Sequence, residues 1–85
     1  MSDLEAKFEQ AAKDVQSLSQ RPDNDTLLEL YALYKQGSQG DVDGKRPGMM
    51  QMVKRAKWDA WHKLQGTSKD KAMEKYIALV EKLRG

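Results

Sequence analysis

Two lysines fall where helical periodicity calls for apolar side chains, and both have aromatic neighbours. At about 100° per residue, Lys35 lies about 40° from Tyr31, inside the arc that holds Leu27 and Leu28. One segment later Lys57 falls between Leu64 and Trp61, each within about 40° of it, and Lys54 falls between Trp61 and Trp58. An unpaired ammonium is costly to bury, so such a lysine needs an acidic partner, a route to water or an anionic ligand. The bland alternative is that each aliphatic stem covers apolar surface while the charged head snorkels into solvent. Tyr31, Tyr34, Tyr76, Trp58 and Trp61 also admit two readings. At helical spacing aromatics are usually core, Trp61 foremost, but beside fixed cations they also form faces for a flat group. Taken together, the set points to a ligand that is both flat and anionic.

Other chemistries fail on the residues present. The chain has one histidine and no cysteine, so disulfides, thiolate metal sites and an identifiable nucleophile–base pair are absent. His62, among polar neighbours, reads as an exposed helix residue. Asp41, Asp43 and Gly44 resemble part of a calcium loop, but Gln39 and Met50 stand where its first and bidentate ligands belong. Gly44-Lys45 is followed by Arg46 rather than Ser or Thr, so no phosphate-binding P-loop is present. Asn24-Asp25-Thr26 fits a glycosylation acceptor and is better read as a helix start. The expectation is a binding protein that is not an enzyme and carries no metal.

With 85 residues, the chain is expected to form one domain over 1–85, near the lower limit for a core without staples. Fifteen basic residues against thirteen acidic leave a net charge of +2, a weak footprint for a polyanion, so nucleic acid is not an expected partner. The opening MSDLEAKFEQ lacks the basic and apolar regions of a signal peptide, and no apolar run reaches membrane-spanning length. A soluble intracellular protein without stable membrane insertion is expected.

Four helices must position the lysines. Leu4, Phe8, Ala11, Ala12, Val15 and Leu18 recur at three- and four-residue spacings, predicting a helix over about 2–18 capped by Ser2 or Asp3. Asp23, Asn24 and Asp25 offer capping oxygens for a second, running to about Gln36 and ended by Gly37 and Gly40. Four of the six glycines and one of the two prolines lie between Gly37 and Met50, which predicts a long connector that is either functional or ordered by its own packing. The third helix is predicted over 52–65, stopped by Gly66. Thr67 and Ser68, with the Asp70 carboxylate three residues after Thr67, are predicted to cap the fourth, whose stripe is Ala72, Met73, Tyr76, Ile77, Val80 and Leu83. No strand pattern is present, so the fold class is all-α.

The blocks Tyr31-x-x-Tyr34-Lys35-Gln36, Gly40-Asp41, Arg46-Pro47-Gly48-Met49, Ala56-Lys57-Trp58-Asp59-Ala60-Trp61, Leu64-x-Gly66 and Ala72-Met73-x-x-Tyr76 resemble, in order and without gaps, the signature of the acyl-CoA-binding proteins. The resemblance spans essentially the whole chain. It implies an up-down-down-up four-helix bundle with the long connector between helices 2 and 3. It also implies a cytoplasmic monomer that binds long-chain fatty acyl-CoA thioesters, pools and carries them without chemical change, and passes them on in transient contacts with acyl-CoA-using enzymes. Acyl-CoA is then cargo and no cofactor is implied. Carried over by position, Tyr31, Lys35 and Lys57 belong to the nucleotide end, both lysines near the ribose 3′-phosphate, with Tyr34 against the adenine and Tyr76 also in contact. Ala32 and Leu33 come with the same block, and Phe8, Ala12 and Leu28 match positions along the acyl path. Gln16 and Val53 stand where many members carry lysine, and Met52 replaces an aromatic. Lys54 or Arg55 is the candidate to supply the missing charge. Because family members also serve as precursors of regulatory peptides, an interaction module is the alternative.

Overall fold

The computed structural model describes residues 3–85. Among them are α1 (Asp3–Asp14), α2 (Asn24–Gln39), α3 (Met52–His62) and α4 (Lys69–Arg84), with a single 3₁₀ turn at Val15–Ser17 after α1 and no strand. Two helix starts are built on side-chain oxygens. The Asp23 carboxylate accepts from the Thr26 amide at 2.8 Å, and the Ser68 hydroxyl accepts from the Lys71 amide at 3.1 Å. The fourth helix is thus capped by Ser68 rather than Thr67, whose carbonyl is engaged by Gln36 instead. Of the two cap candidates for α1, Asp3 is its first residue, and Ser2 lies outside the described residues.

Three boundaries differ from expectation, each for a local reason. The first α-helix stops at Asp14, and the predicted span to Leu18 is completed only by the 3₁₀ turn, whose following residue Leu18 is extended. The second runs three residues beyond Gln36, because Gly37 is not a stop. It is buried in the helix interior, where an added Cβ would lie 3.0 Å from Phe8 Cζ and 3.2 Å from Met73 Cγ. The stop is Gly40, at φ +86°, whose N–H donates to the Gln36 carbonyl at 3.0 Å. The third ends at His62 rather than Gln65, since Leu64, Gln65 and Thr67 make tighter three-residue turn bonds to Trp61, His62 and Leu64. Gly66, at φ +90°, completes the reversal.

Side-chain periodicity then decides the packing. Phe8, Ala11, Leu30, Leu33, Met73, Tyr76 and Val80 form the buried cluster, drawn from α1, α2 and α4. At its centre Phe8 stacks on Tyr34 with centroids 5.2 Å apart and meets Tyr76 edge-on at 5.2 Å. Every helix except α3 contributes fully buried residues, and α3 packs chiefly on α2.

Directions follow from end-to-end contacts. The end of α2 reaches the start of α4, where Gln36 donates to the Thr67 carbonyl at 2.8 Å, so these two are antiparallel. The ends of α1 and α4 coincide at the Arg84–Asp14 pair, 3.3 Å apart, so those two are parallel. The starts of α2 and α3 share one groove, which makes them parallel as well, and the order is up-down-down-up. Parallel neighbours need a connector that returns the full helix length, here about 16 Å for eleven residues at 1.5 Å each.

That connector is pinned along its course. Trp61 Nε1 donates to the Gly40 carbonyl at 2.8 Å. Asp41 Oδ1 accepts from Gln36 Nε2 and from the Gly66 amide, both at 2.8 Å. Arg46 makes a two-pronged pair with Asp59 at 2.8 and 2.7 Å. Trp61 is therefore half-buried and serves as an anchor for the connector.

Replacing Gly37 with alanine tests the close approach. Alanine improves intrinsic helix propensity by about 1 kcal/mol, but the Phe8 ring, held between Tyr34 and Tyr76, has little room to yield. A net loss of about 1–2 kcal/mol is expected in urea unfolding; a stabilised variant would contradict this packing.

Candidate functional site

The lysines singled out by periodicity converge on one ring. Lys57 Nζ, from α3, lies 5.1 Å from the Tyr31 centroid, and Lys35 Nζ, one helical turn after Tyr31 on α2, lies 5.9 Å from it. Lys35 Nζ is also 5.8 Å from the Trp61 ring, within the reach of a cation–π contact. Neither ammonium has a carboxylate partner among the described residues. Lys35 is half-buried, as expected for a stem laid on apolar surface, whereas Lys57 is exposed. The apolar arc predicted for Lys57 is incomplete, because α3 has a neighbouring helix on one side only.

Beside this cluster runs a groove of about 460 Å³ between the starts of α2 and α3. Tyr31 and Lys57 line it with Leu28, Val53, Met52, Leu27, Ala56, Asn24 and Arg21. It thus offers an apolar floor, an aromatic wall and cations at 21 and 57. A larger groove, about 890 Å³, lies on the other flank of α3, between α3 and α4 over α2. Its rim holds Asp25, Glu29 and Asp59 against Lys63 and Lys75, so it is net acidic and lacks the lysine pair. For an anionic ligand the smaller groove is the better site despite its size, because the larger one opposes negative charge.

The structure divides the thirteen residues expected at the site. Tyr31, Lys57, Val53 and Leu28 share the smaller groove, with Lys35 on the same ring. Ala32 and Leu33 are buried and border the larger groove instead. Phe8, Tyr34 and Tyr76 form the aromatic centre of the core, with Ala12 packed against it. Gln16, on the 3₁₀ turn, and Lys54, in the first turn of α3, are exposed and line neither groove. Asn24, Leu27 and Ala56 were not expected there. Leu27 and Asn24 stand one and two turns before Tyr31 on the arc of Lys35, a signal the periodicity contained. Arg21 lies in coil, where no periodicity points to it.

Tyr76, Asp41 and Asp59, whose pKa values are shifted, lie in the core and along the connector. Burial, then the adjoining Tyr34 phenol and Glu9 carboxylate, push the Tyr76 phenol above its ordinary 10.0, so it remains a hydroxyl donor at neutral pH. The two carboxylates that hold the connector shift the other way. The Gly66 amide and then the Gln36 side chain lower Asp41, and the Arg46 guanidinium lowers Asp59, each from an ordinary 3.8. Among the described residues no group of three acidic, histidine or cysteine side chains could hold a metal, and no helix is long and apolar enough to cross a membrane.

An up-down-down-up bundle with paired cations over a tyrosine beside an apolar groove defines a class of small helical ligand-binding domain. Comparison with known proteins agrees. The family model described as "Acyl CoA binding protein" matches residues 5–80. An acyl-CoA-binding protein homolog of Manduca sexta is 51% identical over 81 residues, covering 94% of this chain and 90% of its own length. The acyl-CoA-binding protein of Saccharomyces cerevisiae is 51% identical over 76 residues, covering 89% and 87%. The crystal structure of Oryza sativa acyl-CoA-binding protein 2 superposes with a TM-score of 0.90 at 41% identity, covering 94% and 89%. The chain belongs to the acyl-CoA-binding protein family.

The lowered Asp41 value has a defined consequence for stability. A carboxylate with a depressed folded-state pKa stabilises the fold above its unfolded value, and that stabilisation is lost as pH falls through the folded value. Unfolding free energy is therefore expected to decline as pH drops below about 4, less steeply in Asp41→Asn than in the parent chain. Identical pH profiles by urea titration would show that Asp41 carries no such linkage.

Proposed function

We propose that this chain binds long-chain fatty acyl-CoA thioesters and acts as an intracellular, cytoplasmic pool former and carrier, releasing them unaltered to acyl-CoA-using enzymes. The observation that carries the reading is the convergence of Lys35 and Lys57 over Tyr31, at the edge of an apolar groove. Both lysines take the ribose 3′-phosphate, with Tyr31 beneath it. Tyr34, half-buried with its ring on Phe8, offers its remaining surface to the adenine, and Tyr76 a hydroxyl to the coenzyme. Leu28 and Val53, with Met52, line the path for the acyl chain. Phe8 and Ala12 support that path from the helix contacts behind it, and Lys54 supplies charge near the position held by Val53. The protein acts as a monomeric single domain over 1–85, without catalysis and without a cofactor, since the acyl-CoA is cargo.

Magnitudes divide the work of such a site. Each methylene removed from water contributes about 0.8 kcal/mol, so sheltering on the order of ten gives at most about 8 kcal/mol before ordering costs. A phosphate–lysine contact contributes about 1.5–3 kcal/mol net. The headgroup sets identity and the chain sets affinity.

Titration calorimetry with palmitoyl-CoA, CoA and palmitate tests this. Palmitoyl-CoA is expected to bind far more tightly than CoA, and palmitate poorly; absence of heat with palmitoyl-CoA at micromolar protein would sink the reading in favour of an interaction module. Lys35→Ala is expected to weaken all chain lengths by a similar factor, about tenfold or more, and to lose its effect on a ligand without the 3′-phosphate. A loss that varied with chain length would show the charge assignment to be wrong.

A further inference from the structure

The chain has five methionines and no cysteine, so thioethers are the side chains that a two-electron oxidant meets first. Among the described residues their exposure differs sharply. Met73 is packed in the core at 8%, whereas Met49 at 78%, Met50 at 98% and Met52 at 76% stand open to solvent. Of these three only Met52 lines the groove between the starts of α2 and α3. Peroxide therefore reaches all three, but at one of them it alters a wall of the site.

The other apolar wall residues, Leu27, Leu28, Val53 and Ala56, are saturated hydrocarbon, and Met52 holds the only sulfur in the lining. As a thioether it is a flexible, polarisable apolar group that conforms to an alkyl chain. Oxidation breaks the peroxide O–O bond and joins one oxygen to Sδ. Sulfur loses two electrons to the peroxide, whose second oxygen leaves with both hydrogens as water. The sulfoxide is a strong acceptor, and an alkyl chain seated against it displaces water without replacing the hydrogen bonds. The local structure offers the new oxygen a better place. Helix α3 starts at Met52 with no side chain capping its first amides and no acidic residue in its first turn, and a helical side chain leans back toward that end. Turning there withdraws the apolar surface of Met52 from the groove.

We infer that Met52 is a reversible oxidation site that sets how tightly the groove holds an acyl chain, with hydrogen peroxide as oxidant and a dithiol-dependent methionine sulfoxide reductase as the restoring activity. This role rests on the acyl-CoA reading above and adds regulation to it. The thioether form retains the chain, the sulfoxide form releases it, and the end formed by Lys35, Lys57 and Tyr31 is untouched. Reduction consumes two thiols and returns the thioether, a disulfide and water. Because ligand and oxidant compete for one surface, a bound chain also shields Met52.

Peroxide treatment of the full-length chain tests this, with mass mapping of the oxidised residues and titration calorimetry before and after. Oxidation of Met52 is expected to weaken palmitoyl-CoA binding about tenfold and to leave binding of free CoA within about twofold. Reductase with dithiothreitol is expected to restore the loss. Palmitoyl-CoA bound beforehand is expected to slow oxidation at Met52 about fivefold or more, while Met49 and Met50 react as before. Met52→Leu, compared with itself before and after peroxide, is expected to keep whatever affinity it has. Met49→Leu/Met50→Leu, altered at positions that line no part of the groove, is expected to bind as the parent does and to lose affinity on oxidation as the parent does. Undiminished palmitoyl-CoA binding with Met52 fully oxidised overturns the proposal. So does an equal loss in Met52→Leu, an equal loss for CoA and palmitoyl-CoA, or oxidation of Met52 at one rate with and without ligand. An untreated parent chain that binds no palmitoyl-CoA refutes the acyl-CoA reading itself, and this role with it.

Discussion

The side chain of Gln36 is fully buried and donates to two acceptors, the Asp41 carboxylate and the Thr67 carbonyl. Asp41 in turn accepts the Gly66 amide. One hydrogen-bonded knot thus joins the end of α2, the start of the connector and the turn between α3 and α4. Burying a primary amide is favourable only when its hydrogens are used, so the three segments specify one another. The placement of α3 depends on this knot, because α3 has little core of its own. The Trp61 N–H on the Gly40 carbonyl and the Arg46–Asp59 pair fix its far end and its flank, and Lys57 reaches Tyr31 as a result.

Helix α2 serves both the core and the smaller groove, whereas α1 and α4 serve chiefly the core and α3 the groove. The interlocked rings of Phe8, Tyr34 and Tyr76, with Gly37 admitting Phe8 against the α2 backbone, belong to α1, α2 and α4. The third helix supplies one wall of each groove and few core contacts. Changes on its outer surface therefore alter what the grooves present without disturbing the centre of the fold.

The sequence made much of this legible, for reasons visible in particular residues. Apolar residues at three- and four-residue spacing yielded four helices and the buried stripe of α4. The unusual angular position of Lys35 pointed to the cluster on Tyr31. Helix ends were less legible. Gly37 looks like a terminator until Phe8 and Met73 are seen against it, and Thr67 and Ser68 are equivalent caps until Gln36 takes the Thr67 carbonyl. Those choices are made by residues distant in the chain. Lys57 was misjudged in burial for a related reason: a helical arc shows which way a side chain points, whereas exposure depends on whether another helix stands there. Arg21 was missed because coil has no periodicity.

The absence of any fully buried residue in α3 has a dynamic consequence. Segments with few buried contacts open locally at a fraction of the global unfolding free energy, which makes α3 the least protected helix against amide exchange. Because α3 forms one side of the groove, such an opening dismantles half of the site while the three-helix core persists. Any molecule that spans the α2–α3 seam then acts as a clasp, adding its binding energy to the weakest cooperative unit of the fold.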